Sequence, residues 1–142
     1  MRPWFPKLWA IRWNSRKAKE IDMLDNFETS FLHKMRIQNL GCIGPEGLEI
    51  ALDAIVCLVG ANNSGKSTVL RAYEAAVANE KLAESDFCSR RNGAPASVTL
   101  WVHIPANTPN IDEKWKTSDG DLKLVQSRWE WSGPGIGPVR TT

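Results

Sequence analysis

The sequence predicts an α/β fold in which one buried strand leads through a glycine-rich turn into an amphipathic helix. Residues 55–59 form a continuous apolar run, and Gly60 and Gly65 bound the turn that follows. Residues 67–79 then carry apolar side chains at spacings of three and four, which predicts a helix. A short β-branched run that is apolar throughout is typical of a central strand. We therefore expect residues 55–59 to be covered on both faces.

Further strands are predicted by alternation of apolar and polar residues. Residues 35–40 and 48–52 alternate on either side of a glycine-containing turn, which predicts a hairpin. Residues 97–104 and 122–131 predict two more strands. Residues 81–96 are expected to form a polar connection between the predicted helix and the strand at 97–104. On the predicted helix, the side chains expected to face the core are Val69, Leu70, Tyr73, Ala76 and Val77. Among the tryptophans, those expected to face the core from strands are Trp101, Trp129 and Trp131.

The chain divides into three parts by composition. Residues 1–33 combine tryptophans with basic residues, and we expect a disordered or non-native extension, with an interfacial membrane anchor as the alternative. Met23 and Met35 are alternative starts. Residues 34–131 are expected to form the ordered lobe, and residues 132–142 a glycine- and proline-rich tail. No apolar stretch is long enough to predict a membrane span.

Charge and cysteine usage narrow the functional classes. Residues 1–20 hold six basic residues and one acidic residue, so the rest of the chain is weakly acidic and gives no reason to expect broad nucleic-acid binding. The three cysteines show no C-x-x-C spacing, and Cys57 is expected to be a small buried hydrophobe. His33 and His103 are isolated in sequence and predict no metal cluster. We expect a cytoplasmic protein.

The predicted chemistry lies in the glycine-rich turn, which matches the phosphate-loop pattern G-x-x-x-x-G-K-[ST]. Its residues are Gly60, Ala61, Asn62, Asn63, Ser64, Gly65, Lys66, Ser67 and Thr68. Such a loop points backbone N–H groups at a phosphate, which requires residues tolerant of unusual dihedral angles, and Asn63 and Gly65 suit this. The following helix adds its N-terminal N–H groups. Lys66 is expected to bridge the β- and γ-phosphates, and the Ser67 hydroxyl to ligate Mg²⁺.

The loop and the residues after it resemble the head domain of ABC-type ATPases, closest to the RecF, SMC and OLD-nuclease group. The strand hairpin before the loop resembles the opening of such heads, and the later strands resemble their antiparallel sheet. The resemblance implies a P-loop NTPase fold in which this chain forms the first lobe of a head, with antiparallel strands added. It implies ATP and Mg as cofactors, and a second ATPase head (a homodimer) or a missing C-terminal lobe as partner. DNA would be contacted through the full assembly, in DNA repair or phage defence.

The chain also departs from that group. The turn after the first strand reads Leu40-Gly41-Cys42, where the group commonly has aromatic–basic–Gly. Asp112-Glu113 lacks the apolar strand that precedes a Walker B acidic pair, and no signature Ser-Gly-Gly stretch is visible. Gln126 lies in a strand pattern and is not expected to be the group's Mg²⁺-contacting glutamine. Mg-ATP binding without hydrolysis by this chain alone is therefore the expectation.

Two other functions remain open from the sequence. A small P-loop kinase would need a second phosphate clamp, for which the adjacent pair Arg90-Arg91 is the candidate, although a solvated surface charge is the simpler interpretation. A non-catalytic remnant of an ATPase would expose the sheet surface that normally contacts another lobe.

Overall fold

The computed structural model describes residues 9–12, 30–52, 56–105, 118–119 and 122–142. The strands in chain order are β1 (Trp9–Arg12), β2 (Phe31–Gln38), β3 (Leu48–Ala51), β4 (Val56–Val59), β5 (Ala96–Pro105), β6 (Ser118–Asp119), β7 (Leu122–Trp131) and β8 (Val139–Thr141). One α-helix, α1 (Lys66–Ala78), follows β4. Two short 3₁₀ turns, Glu84–Asp86 and Ser89–Arg91, lie between α1 and β5. No helix in the described part of the chain is long and apolar enough to cross a membrane.

Six strands form one sheet in the order β3-β2-β5-β7-β6, with β8 also paired to β7. Every pairing among the described strands is antiparallel. The predicted hairpin is confirmed as β2 and β3, with Met35 opposite Ile50. The two later strands are confirmed as β5 and β7, which pair over their whole length. The predicted antiparallel strands are therefore present. The α/β architecture is dominated by its sheets, and the described elements include a single α-helix.

The core lies between α1 and one face of this sheet. Small residues on the helix allow close approach, and Val69, Ala72, Ala75 and Ala76 are buried there. The facing strand residues include Ile37, Val98, Trp129 and Trp131. Burial of Trp129 and Trp131 confirms their predicted orientation, whereas Trp101 is half-buried with the Lys34 ammonium 4.3 Å from its ring centre.

The predicted helix is confirmed within one residue at each end, but part of its predicted core stripe is wrong. Leu70, Tyr73 and Val77 are exposed, with 61%, 41% and 54% of their surface accessible. The buried face of α1 instead contains the small residues Ala72, Ala75 and Ala76, which allow the helix to approach the sheet closely. Large apolar side chains are left on the outer face of α1.

The expectation of a central β4 is also wrong for the described part of the chain. β4 pairs there with β1 alone, in a two-stranded sheet separate from the six-stranded one. Its side chains alternate between half-buried and exposed, so Cys57 is exposed and not the buried hydrophobe that was predicted. The central strand of the six-stranded sheet is instead β5, which lies between β2 and β7 and in which residues 96–100 are all buried.

Candidate phosphate-binding site

The glycine-rich turn connects the end of β4 to the start of α1. Asn63 has φ of 63° and Gly65 has φ of 95°, so both adopt the left-handed conformation that their positions predicted. Gly65 is the N-cap of α1, and the helix begins at Lys66. The first turn of the helix carries no acidic side chain. The free N–H groups at the start of α1 therefore have no carboxylate from the same turn close to them.

The Lys66 ammonium lies over this loop. Its Nζ donates to the carbonyl oxygens of Gly60, at 2.8 Å, and Ala61, at 2.6 Å. A third bond, of 3.3 Å, goes to the Ser64 hydroxyl. These three acceptors hold the charge in the concave side of the turn, where it can attract an anion.

The loop borders an open cleft of about 590 Å³. Six of the nine predicted site residues line it, namely Asn62, Asn63, Gly65, Lys66, Ser67 and Thr68. Gly60, Ala61 and Ser64 contribute through their bonds to Lys66. The structure therefore places six of the nine predicted residues at the cleft and the other three in hydrogen bonds with Lys66. Ser67 is exposed beside Lys66, which leaves its hydroxyl accessible.

Two further residues of the site come from the turn between β2 and β3. The Cys42 Sγ atom lies 3.7 Å from the Thr68 Oγ1 atom, and Cys42 lines the cleft. Gly41 has φ of 51°, and a Cβ atom there would come within 2.8 Å of the Thr68 side chain. The turn between β2 and β3 was predicted from its glycines. Its contact with the phosphate loop depends on the fold, and the spacing of residues in the sequence could not predict it.

The connection between α1 and β5 holds this turn in place. The Gly41 N–H donates to the Asp86 carbonyl at 2.7 Å, and the Cys88 N–H donates to the Asn39 carbonyl at 3.0 Å. Arg90 donates to the Glu46 carboxylate at 3.0 Å. Hydrogen bonds from its own backbone N–H, and then from Arg90, lower the pKa of Glu46. The turn between β2 and β3 is therefore fixed by the connection between α1 and β5.

Neither member of the arginine pair lines the cleft. Arg90 forms an ion pair with Glu46, which in turn raises the pKa of Arg90. The Arg91 guanidinium stands 4.2 Å from the ring centre of Phe87. Arg90 also donates to the Cys42 carbonyl at 3.4 Å, and Arg91 is half-buried. Neither is the simply solvated charge of the simpler interpretation, and neither guanidinium is placed as a phosphate clamp at the cleft.

Three other predicted or excluded candidates have clear positions. Gln126 is exposed within β7, opposite Trp101, and does not line the cleft. The two histidines, isolated in sequence, meet in space, with the His33 and His103 ring centres 4.5 Å apart. Asp112-Glu113, considered as a Walker B pair, lies outside the described residues.

No protein-family model and no curated protein matches this chain. Among solved structures, it is similar to a chain described under "Structural biochemistry of ATP-driven dimerization and DNA stimulated activation of SMC ATPases". The TM-score is 0.48 at 16% identity, and the likeness covers 78% of this chain and 69% of that chain.

Proposed function

We propose that this chain binds Mg-ATP through residues 60–68. The observation that carries the proposal is the position of Lys66, whose ammonium is held over the loop by the Gly60 and Ala61 carbonyls at the N-terminal end of α1. A cation, a helix N-terminus and two left-handed loop residues converge on one cleft. Each of these features favours a bound phosphate chain.

The residues present fit both ATP and its metal ion. Lys66 is the group for the β- and γ-phosphates, because its ammonium is the positive charge at the cleft. The Ser67 hydroxyl is exposed in the first turn of α1 and would ligate Mg²⁺. Mg²⁺ supplies charge neutralisation to the phosphates when it is bound.

The wider role we propose is the N-terminal part of a RecF-, SMC- or OLD-like ATPase that acts in DNA repair or phage defence in the cytoplasm. The exposed apolar face of α1 supports a partner lobe or head. Beside it lies a groove of about 180 Å³ whose lining includes Leu32, Val56 and Leu58. A surface of this kind on a water-exposed helix favours burial against another protein surface. ATP hydrolysis would then need acidic residues from that partner, so no turnover is expected from this chain alone.

The test is a calorimetric titration of Mg-ATP into the full chain and into Lys66→Ala. The matched control is Lys81→Ala, which removes an exposed lysine from the connection after α1. We expect the parent and the control to bind equally well. Lys66→Ala should bind at least about tenfold more weakly, because it loses a charge-assisted contact to phosphate. Equal affinity in Lys66→Ala, or no binding by the parent, would overturn the proposal.

A phosphate-release assay on the same samples tests the second part of the proposal. We expect ATP to be recovered unchanged after prolonged incubation with the parent chain. Release that is abolished in Lys66→Ala would show that this chain has hydrolytic activity of its own. Transfer to a small acceptor molecule would instead support the kinase alternative.

A further inference from the structure

The strand β1 is attached to the strand that delivers the phosphate loop. Trp9–Arg12 pairs antiparallel with Val56–Val59 over all four residues, from Arg12 opposite Val56 to Trp9 opposite Val59. Val59, which pairs with Trp9, is therefore the residue just before Gly60. The Gly60 carbonyl accepts a hydrogen bond from the Lys66 ammonium. We infer that β1 is part of the nucleotide-binding unit and positions the N-terminal end of the phosphate loop. This inference rests on the proposed function.

The two ends of the phosphate loop are anchored very differently. The C-terminal end continues into α1, which is fixed by Val69 and Ala72 in the main core. The N-terminal end continues from β4, which is not part of the six-stranded sheet. Rigid placement of the loop requires both ends to be held, because a phosphate cradle depends on the relative positions of successive N–H groups.

The strand β4 has little other support in the described part of the chain. Val56 and Leu58 are half-buried at the apolar groove, whereas Cys57 and Val59 are exposed. The only described strand that hydrogen-bonds to β4 is β1. An isolated strand leaves its backbone groups unpaired, and even a two-stranded ribbon is marginally stable. Within the described residues, the order of β4 therefore depends on its pairing with β1 and on the packing of Leu58 against the core.

Residues 9–12 accordingly have a structural role within a segment whose composition predicted a disordered or non-native extension. The composition could not reveal this role, because the tetrapeptide Trp-Ala-Ile-Arg is too short for a periodic pattern. Its function is positioning, since it acts on the loop through the backbone of β4.

The experiment uses two proline substitutions in the full chain, Ala10→Pro and Ile11→Pro. Neighbouring residues of an antiparallel strand point their N–H groups in opposite directions, so one of these substitutions removes an inter-strand donor and the other does not. Each variant is the matched control of the other. Amide hydrogen exchange is measured on residues 56–59, with Val98 and Leu100 in β5 as internal references. Mg-ATP affinity is measured by calorimetry.

We expect one of the two variants to increase exchange on residues 56–59 about tenfold and to weaken Mg-ATP binding about three- to tenfold, in line with the loss of one or two backbone hydrogen bonds. Exchange at Val98 and Leu100 should stay unchanged, because β5 lies in the other sheet. Unfolding of the whole domain would increase exchange at both places, which separates a general loss of structure from loss of positioning.

The outcomes that overturn the inference differ from those that overturn the proposed function. If the parent binds Mg-ATP and both proline variants bind equally well, β1 has no role in the site, whatever happens to exchange in β4. Unchanged exchange on residues 56–59 in both variants would likewise show that the pairing does not order β4. If the parent does not bind Mg-ATP, the proposed function fails and the inference fails with it.

Discussion

Gly65 is the residue at which the geometry of the loop is most restricted. Its φ of 95° is a conformation that side chains disfavour, and a Cβ atom there would lie 2.9 Å from the Cys42 sulfur. The backbone strain and the close approach are separate physical effects at one position. The sequence motif predicted the first effect, because a phosphate loop needs glycine there. It could not predict the second, since Cys42 reaches the loop only through the β2–β3 turn.

We predict that Gly65→Ala lowers the free energy of unfolding by about 1–3 kcal/mol and weakens Mg-ATP binding. Addition of Cys42→Ala should restore part of this loss, because it removes the sulfur but leaves the backbone strain. Gly135→Ala is the control for strain alone, since Gly135 has φ of 70° and no atom near its would-be Cβ. Urea denaturation of the four proteins measures the effects. Equal losses in Gly65→Ala with and without Cys42→Ala would contradict the proposed contact.

At the scale of elements, the residues just after α1 are hydrogen-bonded to the sheet. Asn79 ends the helix in the left-handed conformation, and its side-chain oxygen accepts a 3.0 Å bond from the Trp129 indole N–H. The Trp131 indole N–H donates to the Glu80 carbonyl at 2.8 Å. Two buried tryptophans of β7 thus satisfy polar groups just beyond the helix. This arrangement fixes the helix whose other end borders the proposed phosphate site.

We expect Asn79→Gly and Asn79→Ala to separate the two roles of this cap. The glycine variant keeps the left-handed backbone and loses the bond from Trp129, which should cost about 1–2 kcal/mol of unfolding free energy. The alanine variant adds about 1 kcal/mol for the strained backbone. Asn92→Gly, at an exposed left-handed position, should change stability little. Thermal and urea unfolding provide the measurement, and an Asn79→Gly variant as stable as the parent would contradict a role for the tryptophan bond.

The sequence predicted the helix and strands more accurately than it predicted the burial of their side chains. Long segments with a clear period, such as β5, β7 and α1, were found with nearly correct bounds because each pattern repeats several times. The short strands β1 and β8 were not predicted, since they lie in segments whose composition indicated an extension and a tail. The apolar run of β4 and the stripe containing Leu70, Tyr73 and Val77 were assigned to the core, although both carry exposed side chains. The pattern of apolar residues alone cannot distinguish a face that is buried in the core from a face that is buried against another protein.

For the whole molecule, the main feature that the described fold leaves unburied is the exposed apolar surface of α1. Leu70 and Tyr73 on α1 line the groove formed with β4, and Val77 is exposed on the same helix. A second apolar pair, Ile136 and Val139, is exposed at and before β8. If the α1 surface is an interface, it should drive association, whereas isolated exposed residues elsewhere should not.

We predict concentration-dependent self-association that the double substitution Leu70→Lys with Val77→Lys weakens at least about tenfold, because about 1 kcal/mol is lost for each apolar contact removed. The control is Ile136→Lys with Val139→Lys, which adds the same charge at the other exposed pair. Sedimentation velocity over a concentration series distinguishes them. Equal effects of the two double substitutions would show that association depends on net charge and not on the α1 surface.

The most direct test of the central claim is an NMR titration of the ¹⁵N-labelled chain with Mg-ATP, read at individual backbone amides. Binding in the phosphate loop predicts that the largest shift changes fall on residues 60–68, with smaller changes at Gly41 and Cys42 and none in β8. Saturation of these changes, and their loss in Lys66→Ala, would agree with the account. Changes concentrated on another surface, or a spectrum that Mg-ATP leaves unaltered, would contradict it.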